Sequence, residues 1–159
     1  MKDIQLTINL QFAQLDELSD DDRALVLAAI QATERSYAKY SNFNVGAALR
    51  LANGTVILGA NQENAVFTVG LCAERTAIFA AQVQYPDQPV VAMAIAAKNQ
   101  NGMMRVPVSP CGSCRQVMSE VEERYKQPMR ILLYGTDGIY IVRSVKDLLP
   151  LCFDDGSMR

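Results

Sequence analysis

The stretch VVAMAIAA, Val90 to Ala97, sets eight apolar residues in a row. A run this short and this uniform reads as a buried strand, because a strand with one wet face would alternate. It cannot stand alone, and a chain built around it needs further strands at its edges and helices over its faces. The flanking sequence supplies them. Ile4, Leu6, Ile8, Leu10 and Phe12 alternate with polar residues, predicting a first strand from Ile4 to Phe12 with one buried face. LSDDDRALVLAAIQATERSYAKY predicts a helix capped by Ser19, with three aspartates at its positive end and Leu25, Ala29, Ile30 and Tyr37 on the buried side.

NVGAALRLANGTVILGA predicts a β-hairpin turning at Asn53-Gly54, two residues that tolerate positive φ. CAERTAIFAAQVQ and CGSCRQVMSEVEERY predict two more helices, the second with Val117, Val121 and Tyr125 at helical spacing. MRILLYG and GIYIVR predict two strands, followed by a short helix at SVKDLLP that Ser144 could cap. The sum is an α/β chain with a mixed sheet and helices on its faces. At 159 residues, half of them hydrophobic, it has the size of one globular domain.

The formal charge of −2 and a pI near 5.1 give no broad footprint for DNA or RNA. No apolar run approaches bilayer length, and MKDIQLTINL lacks the apolar h-region of a signal peptide, so the expected setting is cytoplasmic. In a reducing compartment, Cys72, Cys111, Cys114 and Cys152 are read as metal thiolates or reactive thiols rather than as two disulfides.

There is no histidine, which removes the commonest general base and the commonest metal ligand. Cys111 and Cys114 stand three apart at a helix start, where the dipole and free N–H groups favour thiolate. By itself this pair is compatible with half a zinc site, a redox dithiol or buried cysteines without chemistry. Adding Cys72, also at a helix start, gives three thiolates, the protein-ligand count of a catalytic zinc that keeps a fourth position for water. Cys152 as a fourth ligand would make the site structural, but it stands alone in LLPLCFDD. Glu74, two residues past Cys72, is placed to serve as a general base without ligating; its plain alternative is an acid set in a first turn for the dipole. Three thiolates leave the zinc site near −1, so Arg75 and Arg115 are expected to offset charge by hydrogen bonding to sulfur.

At these residues the chain resembles the cytidine deaminase family in its small, homotetrameric, three-cysteine form. The matching blocks are YAKYSNFNVGAALR, NQENAVF, CAERTAIF, PCGSCRQVMSE and DLLPLCF, in this order. The resemblance implies a single-domain three-layer α-β-α fold over residues 1–159, with a central mixed sheet of about five strands. Residues 1–18 would be an extension carrying the extra strand. It implies one zinc per subunit on Cys72, Cys111 and Cys114, and hydrolytic deamination of free cytidine and deoxycytidine with Glu74 carrying the protons. Phe43 would pack on the substrate, Asn61 and Glu63 would bind the ribose, and the Ala73 amide and Ser109 carbonyl would contact the base. Phe153 would stack on the base from a neighbouring subunit, making a homotetramer with pockets at subunit contacts. No nucleic-acid polymer or membrane partner is expected.

Four positions depart from the family pattern: Lys39, Val66, Phe67 and Ser113. None removes a ligand or Glu74. A related deaminase acting on another aminopyrimidine nucleoside, such as a blasticidin-type antibiotic, shares the zinc motifs. A noncatalytic zinc-stabilised binding module would instead need a fourth protein ligand.

Overall fold

The computed structural model describes residues 1–159. Its elements are β1 (Leu10–Ala13), α1 (Asp20–Ala32), β2 (Asn44–Leu51), β3 (Val56–Ala60), α2 (Ala73–Gln84), β4 (Val90–Asn99), β5 (Gly102–Met103), α3 (Gly112–Tyr125), β6 (Arg130–Gly135) and β7 (Gly138–Val142). The strands form one sheet in the order β1-β7-β6-β4-β2-β3, with the two-residue β5 pairing the end of β4. All pairs are antiparallel except β4 with β6. A parallel pair needs a crossover, and α3 provides it.

The apolar run does what its composition demands. Along β4, Met93 and Ile95 join Ile78, Met118 and Val121 under α2 and α3. Ala92, Ala94 and Ala96 point the other way and pack with Leu25, Val26 and Ala29 of α1. The sheet is therefore sandwiched between α1 and the α2–α3 pair, as the three-layer expectation has it. Small residues on the α1 side let that helix sit close. A Cβ on Gly46 of β2 would come within 2.2 Å of the Ala29 carbonyl oxygen. On the opposite face a Cβ on Gly59 of β3 would come within 2.2 Å of the Ala73 carbonyl oxygen and 2.6 Å of the Ala77 nitrogen. Glycine at 59 thus lets the first turn of α2 rest directly on β3, which fixes where Cys72 emerges.

Several expectations change. The predicted strand Ile4 to Phe12 is paired only over Leu10–Ala13, and its apolar side chains are exposed. The reason is the length of its neighbour: Leu10 pairs Val142, the last residue of β7, after which the chain turns away into the 3₁₀ turn Val145–Asp147. That turn, capped by Ser144, replaces the short helix expected at SVKDLLP. Helix α1 ends at Ala32, so Tyr37 lies beyond it and is exposed, while Ile30 is half-buried. The hairpin forms at Asn53-Gly54, but only Gly54 takes a positive φ, +85°. Its N–H donates to the Leu51 carbonyl and Leu51 N–H to Thr55, while the Asn53 side chain accepts from Thr55 N–H at 3.0 Å. This is a longer loop ending in one left-handed glycine rather than a two-residue turn. The strand count agrees with expectation: β2, β3, β4, β6 and β7 are the five central strands, β1 is the extra N-terminal one, and only the two-residue β5 is added.

Candidate active site

Cys72 and Cys111 are the N-cap residues of α2 and α3, both in extended conformation, and neither side chain accepts a capping hydrogen bond. Cys114 lies in the first turn of α3 and is fully buried. Because Cys111 and Cys114 are one turn apart, their side chains fall on the same side, and the packing of α2 on β3 brings Cys72 alongside. The sulfurs of Cys72 and Cys111 are 3.8 Å apart and those of Cys111 and Cys114 3.5 Å, with all three within 4.8 Å of one another. These spacings are too long for disulfides, whose sulfurs stand about 2.05 Å apart. They match the edge of a tetrahedron around zinc, about 3.8 Å for metal–sulfur bonds of about 2.3 Å. The three sulfurs therefore fit zinc and leave one vertex open. Cys152 is elsewhere, its sulfur accepting from the Ser119 hydroxyl at 3.4 Å.

Without a metal the thiols share charge among themselves. The Cys72 thiol is lowered to about 5, first by the hydrogen bond from Cys114 and then, against the opposing effect of burial, by Arg75. Cys114 moves in the opposite direction, held protonated by the same hydrogen bond and by burial. Glu74 is 4% exposed. Burial, before all else, pushes its carboxyl above the ordinary range; a backbone hydrogen bond opposes the rise and the Cys72 charge adds to it. A buried carboxylic acid beside three convergent thiols is placed to hold a proton and pass it on.

The two arginines behave differently. Arg75 Nη2 donates to Cys72 Sγ at 3.6 Å. Arg115 does not reach sulfur. Its Nε donates to the Pro110 carbonyl at 2.8 Å and its Nη1 to the Leu148 carbonyl at 2.6 Å. Cys114 faces the core, so the next residue on the helix is turned roughly 100° away from it and meets these two carbonyls instead.

Beside Cys72 and Arg75 opens a cavity of about 510 Å³, whose lining includes Tyr40, Asn61, Glu63 and Phe67. This is the size of a small-ligand site. The segment Asn61 to Glu63 is laced to both sides: Tyr37 N–H donates to Asn61 O, Glu63 N–H to Tyr37 O, and Gln62 exchanges two backbone hydrogen bonds with Leu71. Glu63 projects a carboxylate that accepts from Tyr40 N–H at 2.7 Å, Ser41 N–H at 3.2 Å and the Ser41 hydroxyl. These bonds, the hydroxyl first, hold it below the usual carboxylate range. Asn61 accepts from Ser36 Oγ at 2.5 Å and Val45 N–H at 2.8 Å and donates to Phe43 O at 3.0 Å, which leaves one amide proton unspent.

The remaining predicted residues are placed less directly. Ala73 is buried at the first position of α2. Phe43 is half-buried and tied to the cavity wall through Asn61. Ser109 is exposed on the loop entering Cys111. Phe153 is exposed on the tail, its carbonyl held by Gln116 Nε2 at 2.8 Å, and it does not line this cavity in its own chain. Sequence reasoning missed Tyr40 and Ser41, which clasp Glu63, and the edge-on packing of Tyr40 against Phe67 at 5.7 Å. The one local signal was the Ser41-Asn42 pair, a turn in which Asn42 takes φ +55° and its N–H donates to the Ala38 carbonyl.

Comparison with known proteins bears on this arrangement. Residues 19–126 match the cytidine and deoxycytidylate deaminase zinc-binding region. The cytidine deaminase of Halalkalibacterium halodurans is 42% identical over 87% of this chain and 98% of its own length. That of Sporosarcina psychrophila is 38% identical over 84% and 91%. Among solved structures, cytidine deaminase from Burkholderia pseudomallei superposes with a TM-score of 0.70 at 41% identity, covering 82% of this chain and 97% of that one. The one from Mycobacterium tuberculosis gives 0.67 at 30% identity, covering 86% and 99%. With the thiol triad, the buried glutamate and the three-layer sheet already in place, these matches establish that the chain belongs to the cytidine and deoxycytidylate deaminase family.

Proposed function

We propose that this protein removes the C4 amino group of free cytidine and deoxycytidine by hydrolysis, releasing uridine or deoxyuridine and ammonia. The observation that carries this reading is Glu74, buried beside three convergent thiols, one of which, Cys72, lines a cavity of small-ligand size. Zinc on Cys72, Cys111 and Cys114 supplies the Lewis acidity that makes a water nucleophilic near neutral pH. Glu74 does the proton work. It accepts a proton from the attacking water and passes it to N3 of the base as the C4–oxygen bond forms; it then takes the proton of the new C4 hydroxyl and gives it to the amine as the C4–nitrogen bond breaks, leaving the C4 carbonyl and ammonia. A carboxyl whose affinity for protons is raised by burial suits both directions of transfer.

The nucleoside is held at its other end by Glu63 and by the free amide proton of Asn61, which bind the ribose hydroxyl. The Ala73 N–H contacts the base carbonyl, the Ser109 carbonyl receives the leaving amine, and Phe43 packs on the substrate. A carboxylate at the sugar disfavours a polynucleotide, whose backbone phosphate would lie nearby. Arg75 offsets thiolate charge; Arg115 instead holds the loop that delivers Cys111. Phe153, exposed and remote from its own cavity, suits a base-stacking role in a neighbouring chain, and the working assembly is a homotetramer of single-domain subunits. No helix is long and apolar enough to cross a membrane, and the reading places the enzyme in the cytoplasm.

Incubation with cytidine, deoxycytidine, CMP and single-stranded DNA, with ammonia release as the readout, tests this directly. The free nucleosides should be consumed and the DNA left intact, and Glu74→Ala should lose about 10²–10⁴-fold in rate while keeping its zinc. Undiminished activity in Glu74→Ala, or a zinc-loaded protein that deaminates none of the four, would refute it.

A further inference from the structure

The segment ahead of α1 is not explained by the deaminase site. It precedes residue 19, where the family match begins. Ile4, Leu6, Ile8, Leu10 and Phe12 are 84, 55, 52, 49 and 56% exposed, a stripe of five large apolar side chains in water. Single exposed apolar residues are ordinary, but a contiguous stripe marks a surface that is covered in use. The strand lies at the end of the sheet, so the outer edge of β1 has no partner, and Ile4 to Asn9 have no strand on either side. Edges left free in natural proteins are guarded by charge or proline. Here no charged residue and no proline occurs from Ile4 to Gln14.

We propose that this arm is an association strand, pairing antiparallel with the arm of a second copy of the chain about a two-fold axis at Ile8. Antiparallel pairing centred on Ile8 sets Ile4 opposite Phe12 and Leu6 opposite Leu10, so each apolar residue meets another on the same face. Thr7 falls opposite Asn9 and Gln5 opposite Gln11. No like charges face each other, and Lys2, opposite Gln14, comes beside the exposed Asp16 and Glu17 of the other copy. Such a contact is isologous: the same patch serves both chains.

Register fixes the geometry further. Leu10 and Phe12 stand opposite Val142 and Tyr140, on the α2–α3 side of the sheet. Phe12 anchors the strand there. Its ring lies over Gly138, where a Cβ would come within 2.0 Å, and its centroid is 5.7 Å from that of Tyr140. Two sheets joined through their β1 strands would run continuously across both copies. Five such side chains expose roughly 500 Å² per chain, so a pair covers on the order of 1,000 Å², close to the roughly 1,200 Å² at which specific interfaces begin. The backbone hydrogen bonds and the polar face of the strands add to it.

The test is a symmetric cross-link. Cβ atoms of directly opposed residues lie about 4.5–5.5 Å apart, close enough for a disulfide to form with slight adjustment. Mild oxidation of Ile8→Cys, followed by peptide mapping, should give an 8–8 bridge at ~10-fold the yield of a 4–4 bridge from Ile4→Cys, whose two copies would sit roughly 27 Å apart. In the native chain, amides of Ile4 to Asn9 should exchange at least ~10-fold more slowly where light scattering finds more than one chain, with the slowing lost in I4T/L6T/I8T. The far-UV spectrum checks that each variant is folded. Absence of the 8–8 bridge, equal yields from the two cysteine variants, or arm protection that survives dilution to single chains would each overturn the proposal. The last result would mean that the arm folds back on its own chain. Deamination is a separate readout, so its loss with the bridge intact counts against the proposed activity alone.

Discussion

Helix α1 and the pair α2–α3 start in opposite ways. Ser19 closes α1, its hydroxyl accepting the Asp22 N–H at 3.2 Å, with Asp20, Asp21 and Asp22 filling the positive end of the dipole. Cys72 and Cys111 occupy the same position on α2 and α3 and cap nothing. A serine N-cap is worth about 1 kcal/mol, and a sulfur turned toward two other sulfurs forgoes it. What the two helices gain is a field: their unspent N–H groups and dipoles favour thiolate where three sulfurs must lie together. The same structural position is used for stability on one face of the sheet and for chemistry on the other.

The largest break in this contrast is Cys114→Ala. Bound zinc should fall from about one per chain to near zero, and ammonia release should fall below detection, because two thiols do not make a three-ligand catalytic site. Elemental analysis and the deaminase assay read the two effects separately.

A second test removes the metal instead of a ligand. In zinc-stripped protein Cys72, lowered to about 5, should alkylate at a nearly constant rate from pH 6 to 8 and slow only as the pH falls through about 5. An ordinary thiol would speed up about 100-fold over those two units. Because folding lowers this group, its contribution to the stability of the zinc-free fold is complete above the ordinary thiol value of 9.0 and is lost as pH falls through about 5. Peptide-resolved alkylation rates check it, and a slope like that of a free thiol would count against the Cys72–Cys114–Arg75 arrangement.

Smaller effects separate the arginines. Arg75→Gln should weaken zinc affinity or turnover about 10–100-fold, as loss of a hydrogen bond to a ligand does. Arg115→Gln should leave the sulfurs unaltered and act through the Cys111 loop and the Leu148 segment, changing thermal stability more than zinc affinity. Equal zinc losses in both would erase the distinction drawn here. The smallest expected change is Ser19→Ala, about 1 kcal/mol of stability in a denaturant titration with kcat unaltered.

How far the sequence could be read depended on the range of the interaction. The hairpin, the helix starts and the buried β4 were legible because their causes lie within a few residues. The convergence of the three thiols was legible as well, since a three-residue spacing sets Cys111 and Cys114 on one side of a helix start and Cys72 stands at another. Asp22 was not. It was expected to serve the helix dipole, yet it is nearly buried and its Oδ1 accepts from both Arg50 and Arg130, the latter 108 residues away. The Ser41 clasp on Glu63 and the carbonyl partners of Arg115 escaped for the same reason. The N-terminal strand shows the opposite failure. Its period-two pattern is unmistakable, but pattern specifies only which face is apolar, whereas pairing requires a neighbour of matching length, and β7 ends at Val142.

The sequence by itself therefore determined the alternation of strands and helices, which three thiols and which glutamate come together, and the absence of any histidine to share their work. These follow from spacing and residue chemistry, which the chain carries wherever it goes. Only the tertiary structure decided that Gly59 lets α2 sit close enough to bring Cys72 to the other two sulfurs, and that burial raises the affinity of Glu74 for its proton. It also decided that one arginine faces sulfur while the other faces carbonyls. Those outcomes depend on distances between segments far apart in the chain, and such distances are set when the layers close on the sheet.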